Sequence, residues 1–165
     1  MHLALAREQA ADSGRPALAA HFARKEADEV GHDHWAERDV SSVGALFGIP
    51  GTHKPARAIS DLVGYLERSI RGDSKRYLAY ILFAEYFTVL VGPEWLDAME
   101  RCGVPLAMMS SVGNHVELDQ AHVREGLREI DLLVGPEDRD ALLQVLHRAM
   151  DHCEAFFDEL AANVQ

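Results

Sequence analysis

Apolar residues recur at helical spacing along almost the whole chain, and the alternating β-branched pattern typical of strands is missing. Glycine, proline and short polar stretches divide this pattern into segments. Helices are predicted over residues 3–11, 16–43, 56–70, 74–91, 92–102, 106–133 and 137–162. Residues 47–55, with two glycines and two prolines, are the clearest loop. The pattern predicts an all-α bundle of about six or seven helices.

Length and charge narrow the class of protein. A chain of 165 residues with no long linker predicts a single domain over residues 1–165. The net charge of −11, without a block of lysine or arginine, argues against nucleic acid and anionic membranes as partners. No apolar run reaches the roughly 20 residues that span a bilayer. Cys102 and Cys153 lie far apart, without a zinc-ligand spacing. We therefore expect a cytoplasmic protein.

The most specific motif is H-x3-D-x2-H, within the stretch N-H-V-E-L-D-Q-A-H. It is formed by His115, Asp119 and His122. At about 100° per residue, offsets of four and seven place the three side chains within roughly 60° of one another on a helix. Two imidazoles and a carboxylate on one stripe are typical of a transition-metal site.

A second cluster lies in E-A-D-E-V-G-H-D-H-W, residues 26–35. Glu29 and His32 are three residues apart and are predicted to share a face of the helix over 16–43, as in the Glu-x-x-His pairs of diiron bundles. An ordinary solvated acidic face is an equally good interpretation of this segment alone. Other acidic and imidazole groups crowd the same turns: Glu26, Asp28, Asp33 and His34.

Glu85 lies in the middle of the apolar segment Y-L-A-Y-I-L-F-A-E-Y-F-T-V-L-V. A buried carboxylate requires compensation, which a metal, an Arg or Lys partner, or protonation would provide. The residues point to one combined ligand set, enough for two metals if carboxylates bridge them: Glu29, His32, Glu85, His115, Asp119 and His122. Imidazole and carboxylate without thiolate favour iron, with manganese as the alternative, over a structural zinc. Phe83, Phe87, Met108 and Met109 are candidates for the pocket lining or for plain core packing.

Two segments resemble the heme-oxygenase-like diiron oxidases and oxygenases. E-V-G-H-D-H-W-A-E-R-D-V-S-S-V-G resembles the family's E-E-x-G-H-D segment, and H-V-E-L-D-Q-A-H resembles its H-x-E-L-D-x-x-H segment. The resemblance covers about residues 17–160. It implies a heme-oxygenase-like helical bundle, similar to the thiamin-salvage TenA proteins and pyrroloquinoline-quinone synthase. It also implies that the six candidate ligands bind two non-heme irons, and that they are catalytic residues because the reaction takes place at these irons.

The resemblance is incomplete at its start. Family members generally have a further helix before the segment matching residues 3–11, which in several of them supplies another glutamate ligand. That helix is missing from this sequence. Glu8 is a candidate to replace the glutamate, and a homodimer would be one way to complete the bundle.

The expected function is dioxygen-dependent oxidation of a small amino-acid-like or fatty-acid-like substrate in biosynthetic metabolism. One alternative is a metal-binding pseudoenzyme or partner subunit of the same fold. Another is a heme-binding protein, which would need one axial histidine but neither Asp119 nor Glu85. A hydrolase using Cys102 or Cys153 as nucleophile is a weaker alternative, because neither cysteine has an evident base nearby in the sequence.

Overall fold

The structure, a computed structural model, describes residues 1–49 and 54–162. Within these ranges the chain forms seven α-helices and two short 3-10 helices, at Leu106–Met108 and Pro136–Asp138, and no strand. The prediction of an all-α bundle of about six or seven helices is confirmed. Part of the predicted loop over 47–55, residues 50–53, lies outside the described residues. The α-helices are α1 (His2–Asp12), α2 (Pro16–Asp28), α3 (Asp33–Phe47), α4 (Arg57–Gly72), α5 (Arg76–Arg101), α6 (Ser110–Leu133) and α7 (Arg139–Ala162).

The hydrophobic core is built mainly from α1, α2, α4, α5 and α7. Phe22, Leu66, Ile70 and Val145 are among its largest fully buried side chains. Helix α6 packs along α5, and α3 packs against α6. The site described below lies where the α2–α3 turn meets α5 and α6, beside this core. No helix among the described residues is both long and apolar enough to cross a bilayer.

The prediction of one helix over residues 16–43 is wrong. Helix α2 ends at Asp28, and α3 begins at Asp33. Between them Gly31 has φ of +87°, a left-handed conformation that side chains with a Cβ rarely adopt. Glu29 and His32 therefore lie in a turn and not on one helical face.

The predicted helix boundary at residues 92–93 is also wrong, because α5 runs through Pro93 without ending. A proline normally clashes with the Cβ of the residue before it, and Gly92 has no Cβ. The same glycine allows α6 to come close, since a Cβ built on Gly92 would lie 2.4 Å from Cγ2 of Val116.

Candidate metal centre

Helix α6 carries the three residues of the H-x3-D-x2-H motif on its inner side. Asp119 is buried, and His115 and His122 are partly buried. His115 and Asp119 are one turn apart, so they lie next to each other along the helix. The structure divides the six candidate ligands into two groups of three, each with potential donor atoms within 4.8 Å of one another.

The first group, the outer triad, consists of Glu29, His32 and His115, all partly buried. Oε2 of Glu29 accepts a hydrogen bond from Nδ1 of His32 at 2.9 Å and lies 3.8 Å from Nε2 of His115. One carboxylate oxygen thus faces both imidazoles. The turn at Gly31 brings Glu29 and His32 together as effectively as the predicted helix would have done.

Two contacts orient the rings of the outer triad. Nδ1 of His115 donates to the carbonyl oxygen of Ser111 at 2.7 Å, which leaves Nε2 directed at Glu29. The indole ring of Trp35 stacks on His32, with ring centroids 4.2 Å apart.

Asp39 supports this arrangement from α3, and sequence reasoning missed it. Its carboxylate accepts hydrogen bonds from the hydroxyl of Ser110 at 2.7 Å and from the backbone N–H of Ser111 at 2.6 Å. Asp39 therefore caps the first turn of α6 from another helix, next to the carbonyl that holds His115.

The second group, the inner triad, consists of Glu85, Asp119 and His122 and is more buried. Nδ1 of His122 lies 3.2 Å from Oδ1 of Asp119 and 3.8 Å from Oε1 of Glu85. Helix α5 supplies Glu85, and α6 supplies the other two residues. Glu85 therefore lies close to the two α6 residues although they are more than 30 residues away in the sequence.

Lys25 is another buried residue at this site that sequence reasoning did not find. Its side chain is buried, only 3% of the residue is exposed, and Nζ donates to Oε1 of Glu85 at 2.7 Å. In R-K-E-A-D-E the lysine resembles an ordinary surface residue. Its position one helical turn before Glu29 was the feature of the sequence that could have indicated its place at the site. The other oxygen of Glu85, Oε2, is buried and has no hydrogen-bond partner.

Electrostatics distinguish the two triads. The facing Glu29 carboxylate raises the pKa of His115 to about 9, and His115 in turn lowers the pKa of Glu29. In the inner triad burial raises the pKa of Glu85, against the opposing effect of Lys25. Burial likewise raises the pKa of Asp119. An imidazolium thus neutralises the outer carboxylate, and an ammonium neutralises an inner one.

Both triads border one cavity of about 320 Å³. Its lining includes Lys25, Glu29, Glu85, His115 and Asp119. Tyr77 and Tyr80 also line it, and sequence reasoning had not selected them.

Phe83 and Phe87, the two aromatic residues predicted to line a pocket, do not line the cavity between the triads but two others. Phe83 lines an apolar cavity of about 420 Å³ between α5, α6 and α7. Phe87 lines one of about 530 Å³ that also reaches His115.

The competing candidates near the second cluster belong to neither triad. The side chains of Asp33 and His34 are about three quarters exposed, at 74% and 75%. Glu26 accepts a hydrogen bond from Nε of Arg7 at 2.8 Å. Glu8, the candidate replacement ligand, has a side chain that is 65% exposed.

Comparison with protein-family models, with curated proteins and with solved structures finds no match to this chain.

Proposed function

We propose that this chain binds two metal ions, with iron expected and manganese as the alternative, and uses dioxygen to oxidise a small molecule. The observation that carries the proposal is the pairing of two three-donor groups around one cavity. The donors come from three separate parts of the chain: the α2–α3 turn, α5 and α6.

The residues fit a metal in two respects. Oε2 of Glu85 is buried without a partner, and an unsatisfied buried acceptor costs about 1–3 kcal/mol. A cation that bound the Glu85 carboxylate through both of its oxygens would relieve that cost. Each triad also offers three protein donors, an incomplete set that leaves coordination positions for small ligands.

Reduced iron with open coordination positions supplies the oxidising chemistry by reacting with dioxygen. The chain's own residues hold the donors in place: Asp39 and the Ser111 carbonyl orient His115, and Trp35 supports His32. The cavity of about 320 Å³ is at the lower end of small-molecule sites. The choice of an oxidase within the metal-binding class rests on the resemblance of the two sequence motifs.

The direct test is anaerobic reconstitution with ferrous iron, followed by an iron count per chain and measurement of oxygen consumption. We expect close to two irons per chain and rapid uptake of oxygen. Asp119→Ala should lower the iron count while helicity by circular dichroism stays near that of the parent, because the core lies beside the site. His34→Ala, which removes an exposed imidazole, is the matched control and should bind iron normally.

The outcomes separate the alternatives. An iron count near zero would overturn the proposal. Two bound irons with no oxygen consumption across small amino acids and fatty acids would favour the metal-binding pseudoenzyme or partner subunit. A Soret band on adding heme, lost in a single-histidine variant, would favour the heme-binding protein.

A further inference from the structure

The position of Lys25 carries a consequence for the order in which the two triads fill. Its ammonium nitrogen lies 2.7 Å from Oε1 of Glu85, and the same oxygen is 3.8 Å from Nδ1 of His122. The lysine therefore binds the Glu85 oxygen that faces the rest of the inner triad. The opposite oxygen, Oε2, points toward Gly126, where a built Cβ would lie 3.7 Å from it.

A metal ion in the inner triad and the ammonium in its present place compete for Oε1 of Glu85. A metal–carboxylate bond is about 2.0–2.2 Å long, so a metal on Oε1 would lie within about 5 Å of Nζ. Repulsion between a divalent and a monovalent cation at that distance is strong where both are buried. The contact between Lys25 and Glu85 therefore opposes filling of the inner triad.

The outer triad has no such competitor among the described residues. Oε2 of Glu29 lies 2.9 Å from Nδ1 of His32 and 3.8 Å from Nε2 of His115, so this carboxylate faces the other two donors of its triad and not an ammonium group.

The cavity gives the displaced lysine a place to go. Lys25 lines the space of about 320 Å³ together with Tyr80 and Thr88, so its ammonium can turn away from Glu85 without crossing the core.

We infer that Lys25 is a resident counter-ion of the inner triad, so that the outer triad binds metal first and the inner triad binds second and more weakly. This inference rests on the proposed two-metal function. It adds that the two metal ions bind in a fixed order, and that one buried lysine determines this order.

The test is a titration of the metal-free chain with Mn²⁺ alone, with free Mn²⁺ read from its six-line electron paramagnetic resonance signal. We expect two binding steps in the parent chain whose dissociation constants differ at least tenfold. In Lys25→Met the weaker constant should tighten at least tenfold, and the stronger one should change less than threefold. In Asp119→Asn the stronger step should remain while the weaker one is lost.

Three further variants separate charge from packing. Lys25→Gln should tighten the second step as Lys25→Met does, and it keeps an amide that can donate to Glu85 if the methionine variant folds poorly. Lys25→Arg keeps the positive charge and should retain the weak second step. Lys75→Met removes another partly buried lysine, paired with Asp138 away from the triads, and should leave both constants unchanged.

Two equal constants in the parent chain, or a second constant unaffected in both Lys25→Met and Lys25→Gln, would overturn the inference while leaving the two-metal proposal intact. Absence of any Mn²⁺ and Fe²⁺ uptake would overturn both.

Discussion

At the scale of single residues, the outer triad depends on one oxygen atom. Oε2 of Glu29 accepts from His32 and faces His115, so one carboxylate oxygen contacts both imidazole rings. Because Nδ1 of His115 donates to the Ser111 carbonyl, the second proton of the imidazolium lies on the nitrogen that faces Glu29.

The raised pKa of His115 predicts a pH dependence of the metal-free chain. Its folded pKa of about 9 exceeds the ordinary value of 6.5. Protonated His115 therefore contributes its full stabilisation of the folded chain below about pH 6.5. This contribution is lost as the pH rises through 9, because His115 then loses its charge. Imidazole nitrogen chemical shifts, followed by NMR, should show His115 titrating near pH 9.

Glu29→Gln is the control for this titration, because Glu29 is the main cause of the raised pKa. In that variant the His115 pKa should fall toward its ordinary value of 6.5. A His115 that titrates below pH 7 in the metal-free parent chain would contradict the described geometry.

The six candidate ligands could be selected from the sequence because their signals are local. The spacing of His115, Asp119 and His122 follows from helical geometry, and Glu85 stands out in its own apolar segment. Lys25 and Asp39 could not be selected in this way. Their partners lie 60 and 71 residues away, and nothing in the neighbouring sequence marks either side chain as buried.

At the scale of elements, the α2–α3 turn decides how the outer triad is built. The sequence pattern favoured an unbroken helix because apolar residues recur at helical spacing on both sides of Gly31. The left-handed backbone at Gly31 instead ends α2 and redirects the chain into α3. The proximity of Glu29 and His32 could be predicted, since three residues separate them in either conformation. The turn itself depends on tertiary packing.

Gly31→Ala should destabilise the chain and weaken metal binding to the outer triad. No atom lies within 4 Å of a Cβ built there, so the effect comes from the backbone alone, at about 1–2 kcal/mol for a left-handed alanine. Thermal unfolding followed by circular dichroism measures the change.

Gly113→Ala is the matched control for that substitution. A Cβ on Gly113 also meets nothing within 4 Å, but the residue lies inside α6 with an ordinary helical backbone. The free energy of unfolding of this variant should be higher than that of the parent chain by roughly 0.5–1 kcal/mol. Equal effects of the two substitutions would contradict the assigned conformation of Gly31.

Asp39→Asn should loosen the first turn of α6. Asparagine keeps one acceptor oxygen for the Ser111 N–H, but the bond to the Ser110 hydroxyl must reverse its direction and the negative charge at the helix N-terminus is lost. We expect a loss of about 1 kcal/mol in the free energy of unfolding, measured in urea, and weaker metal binding at the outer triad. Glu37→Gln on the exposed side of α3 should change stability by less than about 0.5 kcal/mol.

At the scale of the whole molecule, the core and the metal centre are built from different parts of the bundle. Phe22, Leu66, Ile70 and Val145 pack together without help from the six candidate ligands. The helical class of the fold could be predicted because periodicity reports on it directly. The break between α2 and α3 and the continuity of α5 through Pro93 could not, because they depend on a left-handed glycine and on a glycine that relieves a clash with the proline.

Metal should therefore stabilise a fold that already exists. At a free concentration one hundred times the dissociation constant, one bound ion adds about 2.7 kcal/mol. Adding Mn²⁺ should raise the midpoint of thermal unfolding in a dose-dependent way, and a chelator should reverse the rise without loss of helicity at 25 °C. Asp119→Ala should show a smaller rise, and a rise equal to that of the parent chain would contradict the placement of Asp119 in the centre.

The close approach of α5 and α6 at Gly92 fixes more than the packing of two helices. Gly92 lies seven residues, or about two helical turns, from Glu85, and Val116 lies within one turn of Asp119. The gap across which the inner triad reaches is thus set where the main chain of Gly92 packs directly against the side chain of Val116. A larger residue at position 92 would widen the gap between α5 and α6. It would disturb the geometry of the inner triad even though all six candidate ligands were still present.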